Sequence, residues 1–323
     1  MADKNENKLN LIIESSPHLR SPRNTTQIMY MVIALLLPIT IAGVYFFGMA
    51  ALVRILVSIA VAMITELIFL KVRKKDLSDV LDGSAIITGL LLALTLPPTI
   101  PISEVIIGSA IAIGIGKQVF GGLGYNIFNP ALVGRAFLQA AFPVDMTTWV
   151  KPFFYKADSI TAATPLGGFK FSEIVTPLKK LLMGNTGGTI GETSALIILI
   201  VGIILLLLKL ADWRIPLSII VTVVVFTEFL HLLGVKNLGN PLFYLFSGGL
   251  MLGAFFMATD MVSSPITPKG SVIFGVGIGI VVMIIRVFGG LPEGMMYSIL
   301  FMNAFVPLIN RYTKPRVFGE VKK

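Results

Sequence analysis

Cysteine is absent from this chain of 323 residues. That excludes disulfides, thiolate zinc sites, a cysteine nucleophile and any iron–sulfur cluster held by the chain itself. Histidine is almost absent, with only His18 and His231, and the topology derived below sets them on opposite sides of a membrane. No multi-histidine metal site or bis-histidine haem can be built from that pair, so any redox work needs an organic cofactor or a partner. Charge is scarce as well. Asp, Glu, Lys and Arg make up 13% of the chain, about half of what a water-facing surface carries. What is abundant is apolar: 55% of residues are hydrophobic and the mean hydropathy is +0.88. A soluble domain and a disordered chain are both excluded, and an integral membrane protein is left. The net charge of +9 fits basic residues flanking membrane spans better than a nucleic-acid surface.

The chain is polar through Asn24 and lacks the early apolar run and small-residue cleavage site of a signal peptide. Beyond it lie ten apolar stretches: Thr25–Phe47, Ala50–Leu70, Asp79–Leu96, Ser103–Phe120, Phe128–Phe142, Thr193–Leu210, Ile215–Leu233, Pro241–Thr259, Ser271–Phe288 and Gly294–Ile309. Spanning a bilayer takes about 20 such residues. The third, fifth and eighth stretches are short and carry Gly or Pro, which predicts tilted, broken or re-entrant helices. No stretch alternates like a β-barrel strand. The expected fold is an all-α integral membrane bundle of about ten transmembrane helices.

Basic residues set the orientation. With a cytoplasmic N-terminus, the inside segments carry Lys4, Lys8, Arg20, Arg23, Lys71, Arg73, Lys74, Lys75, Lys117, Lys209, Arg214, Lys269, Arg311, Lys314, Arg316, Lys322 and Lys323. The outside segments carry Lys236 and five lysines in one long loop, where positive charge counts least. Both termini are expected in the cytoplasm of a bacterial cell, with a multi-pass fold in its inner membrane. Residues 1–24 are then a cytoplasmic segment, 25–142 and 193–310 two transmembrane halves, 143–192 an extracytoplasmic loop and 311–323 a cytoplasmic tail.

The halves echo one another. Gly89-Leu-Leu-Leu-Ala-Leu-Thr95 parallels Gly253-Ala-Phe-Phe-Met-Ala-Thr259, Phe120-Gly-Gly-Leu123 parallels Phe288-Gly-Gly-Leu291, and Asn129 with Arg135 parallels Asn303 with Arg311. Five spans separate the copies, so the expected arrangement is two inverted five-helix repeats with a polar site between them.

The outside loop contains Asp158-Ser-Ile-Thr161-Ala162-Ala163-Thr164-Pro165. Small neighbours predict a Thr164 hydroxyl open to a modifying enzyme, and Pro165 disfavours helix at Thr164 itself. The pattern resembles the flavinylation signature Asp-x-x-(Ser/Thr)-(Gly/Ala)-Ala-Thr, in which a flavin transferase joins FMN through its phosphate to the final Thr. Its five constrained positions would match by chance on the order of once per thousand sequences of this length. A phosphoester leaves the isoalloxazine ring free for one-electron chemistry.

With that motif, Ser15-Ser16-Pro17-His18, Tyr125-Asn126-Ile-Phe128-Asn129-Pro130-Ala131-Leu132 and Met257-Ala-Thr259-Asp260-Met-Val-Ser263 resemble the D subunit of the Rnf complex, which is related to the B subunit of the sodium-pumping NADH:quinone reductase. The short N-terminus favours the Rnf member. Ala162 stands where Gly is more usual. The resemblance implies a membrane electron-transfer subunit of an ion-translocating (Na+ or H+) ferredoxin:NAD+ oxidoreductase, not catalytic alone. It implies covalent FMN on Thr164 and a noncovalent riboflavin between the repeats, contacted by Asn126 and Asn129. It also implies the flavin-bearing G subunit, the A, E, C and B subunits and membrane lipid as partners, and no nucleic acid. The alternatives are a component of the quinone reductase and a non-redox inverted-repeat transporter or channel.

Asn126 and Asn129 are spaced i, i+3, which on a helix places them on one face, and Asn129 before Pro130 also reads as a helix cap. Among acids in or beside spans, Glu228 and Asp260 are the ion-path candidates, and Glu66, Asp82 and Glu104 share that setting. Pairing with Arg54, Arg135 or Arg286 is the structural alternative for these acids. The glycines of Gly275-Val-Gly277-Ile-Gly279 lie in an apolar span without a preceding strand, which reads as close helix packing and not as a nucleotide loop.

Overall fold

The first helix begins where the backbone N–H of Asn24 donates to the Gln27 side chain at 3.2 Å, satisfying one of the orphan donors of a helix start. In the computed structural model, which describes residues 24–153, 162–235 and 237–315, α1 (Thr25–Phe47) runs through Pro38 and α2 (Met49–Val72) returns alongside it. Gly48 alone makes the reversal, at φ 67°, a backbone conformation that side chains with a Cβ avoid. A tight turn at Leu77–Asp82 leads to α3 (Ser84–Leu94), then α4 (Ile102–Ile113), which widens into a π turn at Gly114–Gln118.

Next come α5 (Pro130–Ala141) and the short α6 (Pro143–Thr147), α7 (Pro165–Ser172) and α8 (Leu178–Met183). The second half follows with α9 (Ala195–Leu207), α10 (Arg214–Leu232), α11 (Pro241–Phe246) and α12 (Leu250–Leu252), the last passing into a π turn at Gly253–Met257. Finally α13 (Pro268–Phe288) and α14 (Met295–Thr313) close the chain. An Asn or Thr side chain followed by Pro opens α5, α7, α11 and α13, the side-chain oxygen accepting a first-turn N–H in each case. This pairs a good cap with a residue that has no N–H to satisfy.

The packing has a pattern. α10 lies against α13 as α2 lies against α4, and α13 lies against α14 as α4 lies against α5. Contacts of α1 with α9 and of α5 with α14 join the halves. Ser58 ties three elements of the first half together, bonding Gly89 O at 2.7 Å and Ser109 Oγ at 2.9 Å. Large apolar side chains such as Ile41, Leu56, Val225 and Leu232 face outward, as lipid-facing helices require.

Among the described residues α1, α2, α10 and α13 are long and apolar enough to cross a membrane. The third, fifth and eighth apolar stretches are short or interrupted, and so are the fourth and sixth, whose helices α4 and α9 have 12 and 13 residues. The third becomes a turn plus the 11-residue α3, the fifth the 12-residue α5, and the eighth splits into α11, α12 and a π turn. An 11-residue helix rises about 17 Å, roughly half a bilayer core. Such helices end inside the bundle, where their freed backbone groups meet other helices. Those ends frame two internal cavities.

Candidate functional site

The two cavities lie back to back in the bundle and enclose about 730 Å³ and about 640 Å³ of space, their open mouths included. α5 contributes to both: Asn129, Pro130 and Ala131 line the smaller, while Leu132, Arg135 and Gln139 line the larger. Adjacent residues face different cavities, Ala131 the smaller and Leu132 the larger, and likewise Phe256 and Met257.

Thr164 lines the larger cavity, together with Arg135, Glu192, Gly249 and Glu293. Its position follows from local chemistry. Pro165 fixes the first helical φ of α7, and Thr164 Oγ1 accepts the Gly167 N–H at 3.1 Å as the helix cap. The expectation of an open hydroxyl does not hold in the folded chain, because Thr164 is only 4% exposed. Burial follows from Leu166 beneath it packing into the core. Ala162 donates its N–H to Trp149 O at 2.9 Å. Ala163 is exposed. Asp158 and Thr161 lie outside the described residues, as does His18.

Beside Thr164 sits a charged cluster that sequence reasoning did not single out. Arg135 Nη2 bonds Glu293 Oε2 at 3.2 Å, and its Nη1 faces Glu192 Oε1 at 3.6 Å. Arg286 donates to the carbonyls of Tyr244 and Ser247 at 2.5 and 3.1 Å. Close backbone makes room for these groups. A Cβ at Gly249 would collide with the Glu192 carboxylate, and Gly248, at φ 64°, lies against Glu293 and Arg286. Among the described residues, no hydrogen-bond partner reaches Arg135 Nε, Arg286 Nε, either Glu192 oxygen, Glu293 Oε1, Ser247 Oγ or Thr189 Oγ1. Buried polar atoms are normally paired, so their concentration here marks a place built for a polar occupant. The legible signal was weak: Glu192 and Glu293 are single acids in Gly-rich turns bordering apolar runs.

Glu192 lies in the turn before α9, outside the spanning helices. Burial, with help from Glu293 and against the pull of Arg135, pushes its carboxyl up to about 8 from 4.5. The folded state therefore holds a proton between about 4.5 and 8 that the unfolded chain releases, so stability falls as pH rises through that window and the penalty is complete above it. Glu192→Gln is expected to flatten this dependence. Thermal unfolding in detergent at both ends of the window should show a wild-type decline on the order of a few kcal/mol that the variant lacks.

The smaller cavity is lined by Asn129 and Asp260, with Asn126 beside Asp260. Asn126 and Asn129 precede α5 and are not on a helix, which corrects the expectation of a shared helix face: Pro130 starts the helix after them. They still converge. Asn126 Nδ2 bonds Phe128 O at 3.1 Å and reaches Asp260 Oδ2 at 3.5 Å, while Asn129 Nδ2 bonds Met257 O at 3.1 Å. Asn129 also caps α5 through Leu132 N, and its own N–H meets Asn303 Oδ1 at 3.4 Å. Asp260 lines this cavity and accepts from Ser263 Oγ at 2.7 Å. Burial raises its carboxyl, opposed by its bonds from Ser263, Val262 and Asn126.

Glu228 is not part of either cluster. It points outward near the end of α10, 3.9 Å from His231 Nδ1. Lys117, counted above with the cytoplasmic residues, is instead 2% exposed. Its Nζ pairs with Glu66 Oε1 at 2.5 Å and with Ser84 Oγ at 2.5 Å, and Gln118 Nε2 bonds the same Glu66 oxygen at 3.0 Å. Lys117 lies on the π turn of α4. Of the three arginines, Arg135 pairs with acids, but with Glu192 and Glu293 and none of the acids named from sequence, while Arg54 donates to the Ile100 and Ala50 carbonyls.

Comparison with known proteins adds the relatives. The profile of the NQR2, RnfD, RnfE family matches residues 12–319. The D subunit of the proton-translocating ferredoxin:NAD(+) oxidoreductase complex of Clostridium ljungdahlii is 44% identical, over 99% of both chains. The D subunit of the Na(+)-translocating ferredoxin:NAD(+) oxidoreductase complex of Acetobacterium woodii is also 44% identical, over 98% of both. The D subunit of an ion-translocating oxidoreductase complex of Stutzerimonas stutzeri is 41% identical, over 91% of this chain and 92% of its own. Two relatives of equal identity carry different ions in their names, so overall similarity does not select the ion.

Proposed function

The chain belongs to the NQR2, RnfD, RnfE family, and on that footing we propose that it is the membrane electron-transfer subunit of an ion-translocating ferredoxin:NAD+ oxidoreductase. It carries FMN esterified to Thr164 and a noncovalent riboflavin in the smaller cavity. The single observation that carries this reading is the place of the flavinylation motif. Its last Thr lines a cavity together with Arg135, Glu192 and Glu293, each of which has a buried polar atom without a partner among the described residues. A ferredoxin:NAD+ activity also needs electrons to pass between sites on a membrane subunit that has no metal-ligating cysteine.

Bound flavins supply one-electron transfer, which these side chains do not. The chain's own contribution is position. Thr164 Oγ provides the ester oxygen at the start of α7, where first-turn N–H groups favour an anion. Ala131, Leu132, Phe256 and Met257 are apolar and lie between the cavities, which keeps the two sites close. Asn129 and Asp260 offer polar contacts in the smaller cavity. The two-repeat architecture, with 25–142 and 193–310 as the inverted halves, is supported by the matched helix pairings and by the bond between Asn129 and Asn303. The cytoplasmic termini and extracytoplasmic Thr164 loop follow from the distribution of basic residues. The flavin-bearing G subunit and the A, E, B and C subunits are its partners in this reading.

Mass spectrometry of the tryptic peptide containing Thr164, from membranes where the flavin transferase is coexpressed, is expected to show an added FMN. An unmodified peptide in a complex that still passes electrons would overturn the reading. Because Thr164 is buried in the folded chain, transferase added after folding is expected to modify it far more slowly than coexpressed enzyme. For the second flavin, Asn129→Leu is expected to lower the riboflavin extracted per protein several-fold while leaving the Thr164 adduct intact; chromatography of the acid extract measures it. Loss of both flavins together would instead indicate collapse of the bundle, since Asn129 also caps α5.

A further inference from the structure

We infer that Arg135, held between Glu192 and Glu293 beside the start of α7, is the phosphate seat of the Thr164 site. This deepens the FMN reading and rests on it.

Arg135 spends its two terminal nitrogens on the carboxylates at 3.6 and 3.2 Å. Its Nε–H has no partner among the described residues, although the side chain is nine-tenths buried. A guanidinium N–H buried without an acceptor is costly, and Arg135 lines the same cavity as Thr164. A smaller cleft, of about 280 Å³, also joins Thr164 to Glu192, Gly248 and Glu293, so the hydroxyl borders the charged cluster on two sides. Thr164 also stands at the N-terminus of the eight-residue α7, where a negative group is favoured.

Charge balance points the same way. The groups facing one another are Arg135 from α5, Arg286 from α13, Glu192 before α9 and Glu293 before α14, with Tyr244 of α11 against Arg286. With Glu192 in its protonated form at neutral pH, two guanidinium groups face one carboxylate. One positive charge is left over in a buried site. A phosphodiester carries one negative charge and restores neutrality, while a neutral ligand does not. Glu192 and Glu293 act as positioning residues that hold the guanidinium of Arg135 at the cavity wall.

The test uses the full chain with Thr164→Val, which cannot form the ester, in lipid nanodiscs. The probe is free FMN followed by ³¹P NMR, in which riboflavin bound elsewhere is silent. FMN is expected to bind and to shift its phosphorus line. Adding Arg135→Lys should weaken FMN by about tenfold or more, since a charge-assisted bond from a fixed fork is lost, and should remove the shift. Because Arg135 truncation leaves the Glu293 carboxylate without this partner, a second variant, Arg135→Met with Glu293→Gln, keeps the charge balanced and should lose binding equally. No FMN binding to the Thr164→Val chain, or unchanged affinity and shift in both Arg135 variants, would overturn the assignment. A dark wild-type band after coexpression with transferase would refute the covalent FMN alone, since the phosphate titration does not depend on the ester.

Discussion

Thr164→Val is expected to abolish covalent flavin fluorescence completely, the largest single effect foreseen for this chain. A denaturing gel of membranes from cells coexpressing the transferase reads it directly. Val matches Thr in shape but has no hydroxyl, so the acceptor oxygen is gone while the volume at this buried position is kept. The cost to folding is limited to the lost cap bond to Gly167, about 1 kcal/mol. Thr164→Ser keeps both the oxygen and the cap and should retain fluorescence. A bright band from Thr164→Val would place the flavin elsewhere and end the reading of the loop.

The second large effect concerns a pair with no cofactor in it. Lys117 and Glu66 are both buried, in contact at 2.5 Å. Lys117→Met leaves the Glu66 carboxylate with Gln118 as its remaining bonded partner among the described residues, and its other oxygen has none. Breaking one side of a buried ion pair costs about 3–5 kcal/mol, whereas replacing both partners by apolar groups is often neutral. The single variant should therefore unfold at markedly lower denaturant in detergent, and Lys117→Met with Glu66→Leu should recover most of the loss. Equal stability of the single variant and the wild type would show that water reaches the pair.

These two sites mark the difference between local and distant information. Thr164 could be singled out, and its place at a helix start was legible, because the motif, the following Pro and the small neighbours all lie within a few positions. The Asn–Pro start of α5 was legible for the same reason. The interrupted third, fifth and eighth stretches could be foreseen from length and from Gly and Pro content. Lys117 was misplaced because a lysine near the end of an apolar stretch normally reaches the interface. Its partner Glu66 is 51 residues away. The three-residue spacing of Asn126 and Asn129 suggested a helix face, but Pro130 moved the helix start beyond both.

Composition and hydropathy determined by themselves that this is a polytopic helical membrane protein, and one short motif singled out Thr164, because apolar run length and local spacing are properties of neighbouring residues. Only the tertiary structure decided which polar side chains meet. Arg135 and Glu293 are 158 residues apart, and Asn129 and Asn303 are 174 apart. In a low-dielectric bundle each buried charge must find a partner, and the helix packing that supplies one from the other half of the chain leaves no trace in local sequence.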